Sequence, residues 1–148
     1  MLLTKKMIHS AAKSLKESLL KVQFDQFNSN DFTLYLKNYI KMYDVIIQRY
    51  EKIIYKTCQG KDVLDLNFLD FGGGTGILSL LAKKCGIISV TYCDLSEIYT
   101  KNFIILAKQT EVSIDRIYCA SYQNIKELSF YDIITNYDVL EHIDNPLS

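Results

Sequence analysis

The chain has 148 residues, of which 49% are apolar and 23% are charged. This length and composition predict one globular domain and argue against wholesale disorder. Lysine plus arginine number 17, and aspartate plus glutamate also number 17, so the net charge is zero. A protein that coats nucleic acid or an anionic membrane relies on excess positive charge, so neither partner is expected.

The sequence contains no predicted membrane or secretion segment. Its longer apolar stretches, such as Ile77 to Ala82, are far shorter than the roughly 20 residues that a membrane helix needs. Lysines interrupt the apolar residues among the first 20 positions, so this stretch has no continuous signal-peptide core. We therefore expect a cytoplasmic protein.

The cysteines are widely separated and form no CxxC or Cys/His cluster. We expect no metal site and no disulfides, and we interpret the thiols as small buried apolar groups. The four residues are Cys58, Cys85, Cys93 and Cys119.

Residues 1–60 are predicted to form an N-terminal helical segment. Apolar residues from Ile8 to Val22 recur at three- and four-residue steps, as on one face of a helix. After a polar break, Asn30 or Asp31 is predicted to cap a second helix, whose 3.6-residue period runs from Phe32 to Ile54. The tyrosines of that helix either gate a pocket or form packing surface, and the second interpretation is the commoner one.

From residue 61 onward, short apolar strands alternate with helices. Gly86 is predicted to end the first of these helices as a left-handed cap, and Ser96 to cap the second. The alternation predicts an α/β fold, a Rossmann-like parallel sheet with right-handed crossovers. The predicted strands are Phe68–Phe71, Ile87–Cys93, Arg116–Cys119 and Asp132–Thr135, and the predicted helices are Ile77–Cys85 and Ser96–Gln109.

A glycine-rich run, Asp70-Phe71-Gly72-Gly73-Gly74-Thr75-Gly76, leaves the first strand and opens a helix. Glycines allow a sharp turn and a close approach to a ligand, and the free amides of the helix start add hydrogen-bond donors. The alternative is a turn needed only for tight packing of strand against helix, for which one glycine would suffice. The run therefore favours a binding turn.

An acidic residue, Asp94, ends the second strand 24 residues after Asp70. In nucleotide sites, an acidic side chain about 20 residues beyond the glycine turn accepts both hydroxyls of a ribose, and Asp94 is near that separation. The alternative role is a cap for the helix that starts at Ser96. In the G-x-G-x-x-G spacing of dinucleotide sites the last glycine would fall on Ile77 or Ser79, which disfavours a nicotinamide-dependent oxidoreductase.

The D-x-G-x-G-x-G spacing instead resembles the first motif of class I S-adenosylmethionine-dependent methyltransferases. Tyr92–Ser96 looks like the end of that family's second strand. The run Tyr131–Pro146 resembles the fourth strand and the following segment of the subgroup related to ubiquinone-biosynthesis methyltransferases. The resemblance covers about residues 64–148, so residues 61–148 are expected to form the cofactor-binding core.

The resemblance implies S-adenosyl-L-methionine as cofactor, a small-molecule methyl acceptor and a strand order of 3-2-1-4. His142 is the candidate general base for a hydroxyl acceptor, although a hydrogen bond within its loop is an equal alternative, and His9 is assigned no role. Ser121 stands where the family usually has an acidic residue near the adenine amine. The implied cofactor-binding residues are Asp70, Gly72, Gly73, Gly74, Gly76, Asp94, Leu95, Ser121 and Asn136.

One departure concerns the open edge of the sheet. The family's sheet has seven strands in the order 3-2-1-4-5-7-6, and this sequence supplies the first four. A fourth strand without its neighbour exposes unpaired backbone groups. We therefore expect either an N-terminal fragment of a longer protein, or a partner or second copy that covers this edge. A catalytically inactive remnant or an interaction module remains the alternative function.

Overall fold

Five helices and four strands follow one another in the part of the chain that can be described. The structure, a computed structural model, describes residues 1–121, 125 and 128–136. Short 3-10 turns lie at residues 24–26, 63–65 and 128–130. The elements are α1 (Lys5–Leu19), α2 (Asn30–Lys41), α3 (Tyr43–Cys58), β1 (Asn67–Phe71), α4 (Ile77–Lys84), β2 (Ser89–Asp94), α5 (Glu97–Gln109), β3 (Arg116–Cys119) and β4 (Ile133–Thr135).

The strands form a parallel sheet in the order β3-β2-β1-β4. This confirms the predicted Rossmann-like α/β fold and its strand order. In register, Asp70 of β1 lies opposite Tyr92 of β2 on one side and Thr135 of β4 on the other. The carboxyl ends of three neighbouring strands therefore meet at one edge, where ligands bind in sheets of this type.

The predicted second helix is wrong in two details. It is divided at Met42, so that α2 and α3 are separate helices. The buried Tyr43 begins α3 and donates its hydroxyl proton to the Ala12 carbonyl of α1, a tertiary contact that the 3.6-residue period does not encode. The cap of α2 is Ser29, whose Oγ accepts from the Phe32 amide at 3.1 Å, and not Asn30 or Asp31.

The N-terminal helices and the sheet share one apolar core. Helices α1 and α3 both contact α4, the helix that follows the glycine run. Ile8 and Leu15 of α1 are buried in the same cluster as Phe68 of β1 and Leu81 of α4. Burial of such side chains contributes about 1.5–3 kcal/mol each, so this contact makes the N-terminal segment part of the stability of the sheet.

The linker between α1 and α2 is fastened to α5 by side-chain amides. The backbone amide of Gln23 donates to Gln109 Oε1 at 2.8 Å, and Gln109 Nε2 donates back to the backbone carbonyl of Gln23 at 3.2 Å. The Asn28 amide donates to Oδ1 of the buried Asn102 at 2.8 Å. These bonds hold the start of α2 against α5.

The cysteines differ from the prediction at one position. Cys58, Cys85 and Cys93 are buried, whereas Cys119 is exposed on β3, which lies at one end of the order of the described strands. All four are free thiols. Burial raises the pKa of Cys85 to about 12, so this thiol is protonated at neutral pH.

No helix in the described part of the chain has the length and apolar character needed to cross a bilayer. Among the described strands, β4 lies at one end of the sheet order. Coverage of that edge by a partner or second copy stays a prediction.

Candidate functional site

The glycine run forms a turn at the carboxyl end of β1 and leads directly into α4. The Gly73 amide donates to the Cys93 carbonyl of β2 at 3.0 Å, and the Gly76 amide donates to the Gly73 carbonyl at 2.8 Å. Gly72, Gly74 and Gly76 have positive φ angles of 69°, 58° and 83°. The turn is therefore anchored to the neighbouring strand.

The glycines of this turn serve two different purposes. A Cβ at Gly73 would lie 2.5 Å from the Tyr92 ring, and one at Gly76 would lie 2.0 Å from the Phe103 ring. These two rings stack with centroids 3.9 Å apart and planes 10° from parallel. A Cβ at Gly74, in contrast, would meet no atom within 4 Å. Packing thus explains Gly73 and Gly76, while Gly74 faces open space that a ligand can occupy.

The Asp94 carboxylate lies directly against this open position. Its Oδ2 accepts from the Gly74 amide at 2.9 Å, and its Oδ1 accepts from the Ser96 amide at 2.8 Å. The cap of α5 is Ser96, whose Oγ accepts from the Tyr99 amide at 3.2 Å. The structure therefore brings the predicted acidic residue and the predicted turn together, and gives the capping role to Ser96.

Sequence reasoning missed Tyr92, which supports the turn from below. Its side chain is fully buried, and its hydroxyl donates to the Gly74 carbonyl at 2.6 Å. Burial raises the pKa of Tyr92 strongly, and the charges of Asp94 and Asp70 raise it further, so the hydroxyl stays a donor. The available signal was its place on β2 two residues before Asp94, because alternate strand residues face the same side.

The Asp70 carboxyl lies beneath the turn and is only 3% exposed. Its Oδ2 accepts from Ser79 Oγ of α4 at 2.7 Å, and Thr135 Oγ1 of β4 lies 3.5 Å from its Oδ1. Burial raises its pKa to about 7, against the opposing effect of the Ser79 hydrogen bond. Asp70 therefore links β1, α4 and β4, with its carboxyl facing protein groups.

This burial predicts a pH-dependent stability. Asp70 keeps its proton up to a pH of about 7 in the folded chain but loses it near pH 3.8 when unfolded. The stability that the protonated Asp70 contributes is therefore fully present below pH 3.8 and is lost as the pH rises towards 7. About three pKa units correspond to about 4 kcal/mol of unfolding free energy.

Urea unfolding between pH 4 and about 7 measures this contribution. Asp70→Asn removes the titrating group, so we expect the variant to gain stability relative to the wild type as the pH rises. Ser79→Ala removes a donor that favours the charged carboxyl, so we expect the loss of stability to continue to a higher pH than in the wild type. Parallel curves for the wild type and Asp70→Asn would contradict the assignment.

Three further predicted residues follow the carboxyl ends of strands. Leu95, beside Asp94, is 72% exposed, and Asn136 is exposed immediately after β4. Ser121 is half-buried after β3, and the adjacent Ala120 amide donates to the Asp94 carbonyl at 3.1 Å. These positions share the edge of the sheet with the glycine turn.

The two histidines have different outcomes. His142 lies outside the described residues, as does the whole segment 137–148. His9 Nδ1 is paired with Glu51 Oε1 at 2.9 Å on the surface between α1 and α3. This contact joins two of the N-terminal helices.

A parallel sheet of this order, with a glycine turn after β1 and an acidic residue after β2, is the arrangement of Rossmann-like α/β methyltransferases. The sequence model of the family described as "Methyltransferase domain" matches residues 46–148. The chain belongs to this family. No curated protein and no solved structure matches the chain significantly. The family match begins inside α3 and includes the glycine turn and Asp94.

Proposed function

We propose that this protein binds S-adenosyl-L-methionine and transfers its methyl group to a small-molecule acceptor. The observation that carries the proposal is the 2.9 Å hydrogen bond between the Gly74 amide and Asp94 Oδ2. It holds a carboxylate beside Gly74, where an added Cβ would meet open space. A nucleoside needs both features, a bare backbone to lie against and an acceptor for its sugar hydroxyls.

Asp94 keeps the hydrogen-bonding capacity that a ribose requires. A carboxylate has about four acceptor sites, and two backbone amides occupy one site on each Asp94 oxygen. One acceptor direction on each oxygen is left for the two ribose hydroxyls. The two amides also fix the orientation of the carboxylate, which lowers the entropic cost of binding.

The neighbouring residues suit the other parts of the cofactor. Leu95 offers an exposed apolar side chain beside Asp94 for one face of the adenine, and Ser121 offers a hydroxyl where the family usually has an acid. Gly72, Gly74 and Asn136 lie at the edge that would receive the amino-acid part. The cofactor would supply a methyl group activated by its sulfonium, and alignment of the reacting groups contributes up to roughly 7–11 kcal/mol in well-oriented cases.

The finer parts of the proposal come from the sequence. The run Tyr131–Pro146 favours the subgroup related to ubiquinone-biosynthesis methyltransferases, and His142 is the candidate base for a hydroxyl acceptor. Zero net charge favours a small acceptor over nucleic acid. We also propose a cytoplasmic location.

Calorimetric titration tests the cofactor assignment. We expect saturable binding of S-adenosylmethionine and of S-adenosylhomocysteine, with constants in the range of about 1 μM to 1 mM that is common for enzyme substrates. NAD serves as the matched nucleotide control and is expected to bind far more weakly. Equal or tighter binding of NAD would overturn the proposal, and donor binding without methyl transfer to any acceptor would favour the inactive remnant.

A further inference from the structure

A cluster of aromatic and acidic side chains lies where α2 meets the first turn of α5. Its members are Asp31, Tyr35 and Tyr99, which we call the α2–α5 corner. The centroids of the Tyr35 and Tyr99 rings are 6.4 Å apart, and the ring planes are inclined at 61°. The buried Phe32 ring also contacts Tyr99, with 5.4 Å between the ring centroids. Asp31 is four residues before Tyr35 on α2, so both side chains lie on the same helix face.

The corner lies beside the candidate cofactor site. Tyr99 is in the first turn of α5, and its amide is held by Ser96, which follows the carboxylate of Asp94 by two residues. Burial raises the pKa of Tyr99 to about 12, with further increases from Tyr35 and from the negative charges of Asp31 and Asp94. The phenol therefore stays neutral and lies within the field of two carboxylates.

The acidic residue of the corner has no cationic partner among the side chains that the structure describes. Among the described side chains, no ion pair includes Asp31 or Asp94. Tyr35 remains 55% exposed although it contacts Tyr99, and Asp31 is exposed as well. Ring faces and unpaired carboxylates both attract positive charge, and a ring face favours weakly hydrated organic cations.

We infer that the α2–α5 corner binds an organic cation. Two sources supply that chemistry, the sulfonium of the methyl donor or an ammonium group of the acceptor, and their assignment rests on the proposed function. The linker bonds from Gln23 to Gln109 and from Asn28 to Asn102 hold the start of α2 against α5, which carries Tyr99. The N-terminal helices thus contribute ligand-binding residues outside the family match.

The first experiment measures binding of a cation to the full chain. Choline and its neutral isostere 3,3-dimethylbutan-1-ol are titrated while the tyrosine ring resonances are followed by NMR, with and without S-adenosylhomocysteine. We expect choline to bind more tightly than the neutral alcohol, and salt to weaken only the choline binding. Equal binding of the two molecules in both conditions would count against an ammonium site.

The second experiment identifies the sulfonium as the cation. S-adenosylmethionine carries the positive charge that S-adenosylhomocysteine lacks, so the ratio of their dissociation constants reports the contribution of that charge. If the corner holds the sulfonium, Tyr35→Leu and Asp31→Asn each lower the preference for the charged donor by about two- to fivefold. If it holds an acceptor ammonium, the same variants weaken choline by a similar factor and leave the donor ratio unchanged.

Two matched variants separate the site from general damage. Tyr35→Phe keeps the ring and is expected to bind the cation like the wild type. Asp44→Asn removes an acid from the first turn of α3, as Asp31→Asn does from α2, but the partner of Asp44 is Lys16 at 2.8 Å.

The inference is overturned if neither the donor ratio nor choline binding responds to Tyr35→Leu and Asp31→Asn. Failure of the proposed function would instead appear as no binding of either nucleoside, with the choline titration still decisive.

Discussion

Replacing Asp94 with alanine is expected to weaken the binding of S-adenosylhomocysteine by at least roughly 100-fold. Hydrogen bonds to a charged acceptor contribute about 1.5–3 kcal/mol each, and the ribose would lose two of them. The substitution also removes the acceptor of the Gly74 amide, so the turn loses its link to the end of β2. Calorimetric titration of wild type and variant measures the change.

Two other variants show which property of Asp94 matters. Asp94→Asn keeps the size of the side chain and one acceptor oxygen, so we expect its affinity to lie between those of the wild type and the alanine variant. Ser96→Ala removes only the cap of α5 and is expected to lower stability by about 1 kcal/mol while leaving the affinity nearly unchanged. An equal loss of affinity in Asp94→Ala and Ser96→Ala would assign the effect to the start of α5 instead of the ribose.

Gly76→Ala is expected to destabilise the fold by about 2–5 kcal/mol. Its φ of 83° costs an L residue about 1–2 kcal/mol, and forcing a methyl group into a filled space costs a further 1–3 kcal/mol or so. The added Cβ would fall 2.0 Å from the Phe103 ring, which is itself stacked on Tyr92. Urea unfolding gives the change in free energy.

Gly74→Ala is the matched control, because Gly74 has a positive φ of 58° but open space around its Cβ position. We expect Gly74→Ala to lower the unfolding free energy only by the cost of the positive φ, about 1–2 kcal/mol. In a Phe103→Ala background the ring is absent, so Gly76→Ala should then cost no more than Gly74→Ala. An undiminished cost in that background would show that the clash with Phe103 is not the cause.

Much of this site could be predicted because its signals are local. The glycine run and the short apolar strands have strong preferences of their own, and the predicted strands agree with the observed ones within about two residues at each end. Parallel neighbouring strands bring their carboxyl ends together, so the position of Asp94 beside Gly74 followed from the strand order.

Other features depend on contacts between distant residues. Tyr92 and Phe103 read as ordinary core residues, and only the packing of α5 on β2 stacks them under the turn. The break at Met42 is hidden because the apolar period continues through it, and Asp70 faces inward because of Ser79 and Thr135. Local pattern cannot reveal which partner a side chain meets.

The shared core has a consequence for the limits of the domain. A fragment cut at the start of the family match would begin inside α3 and lose α1, α2 and the Tyr43 hydrogen bond to Ala12. It would also uncover the face of α4 against which α1 packs. We therefore expect the cooperative folding unit of this protein to extend well beyond the sequence stretch by which its family is recognised.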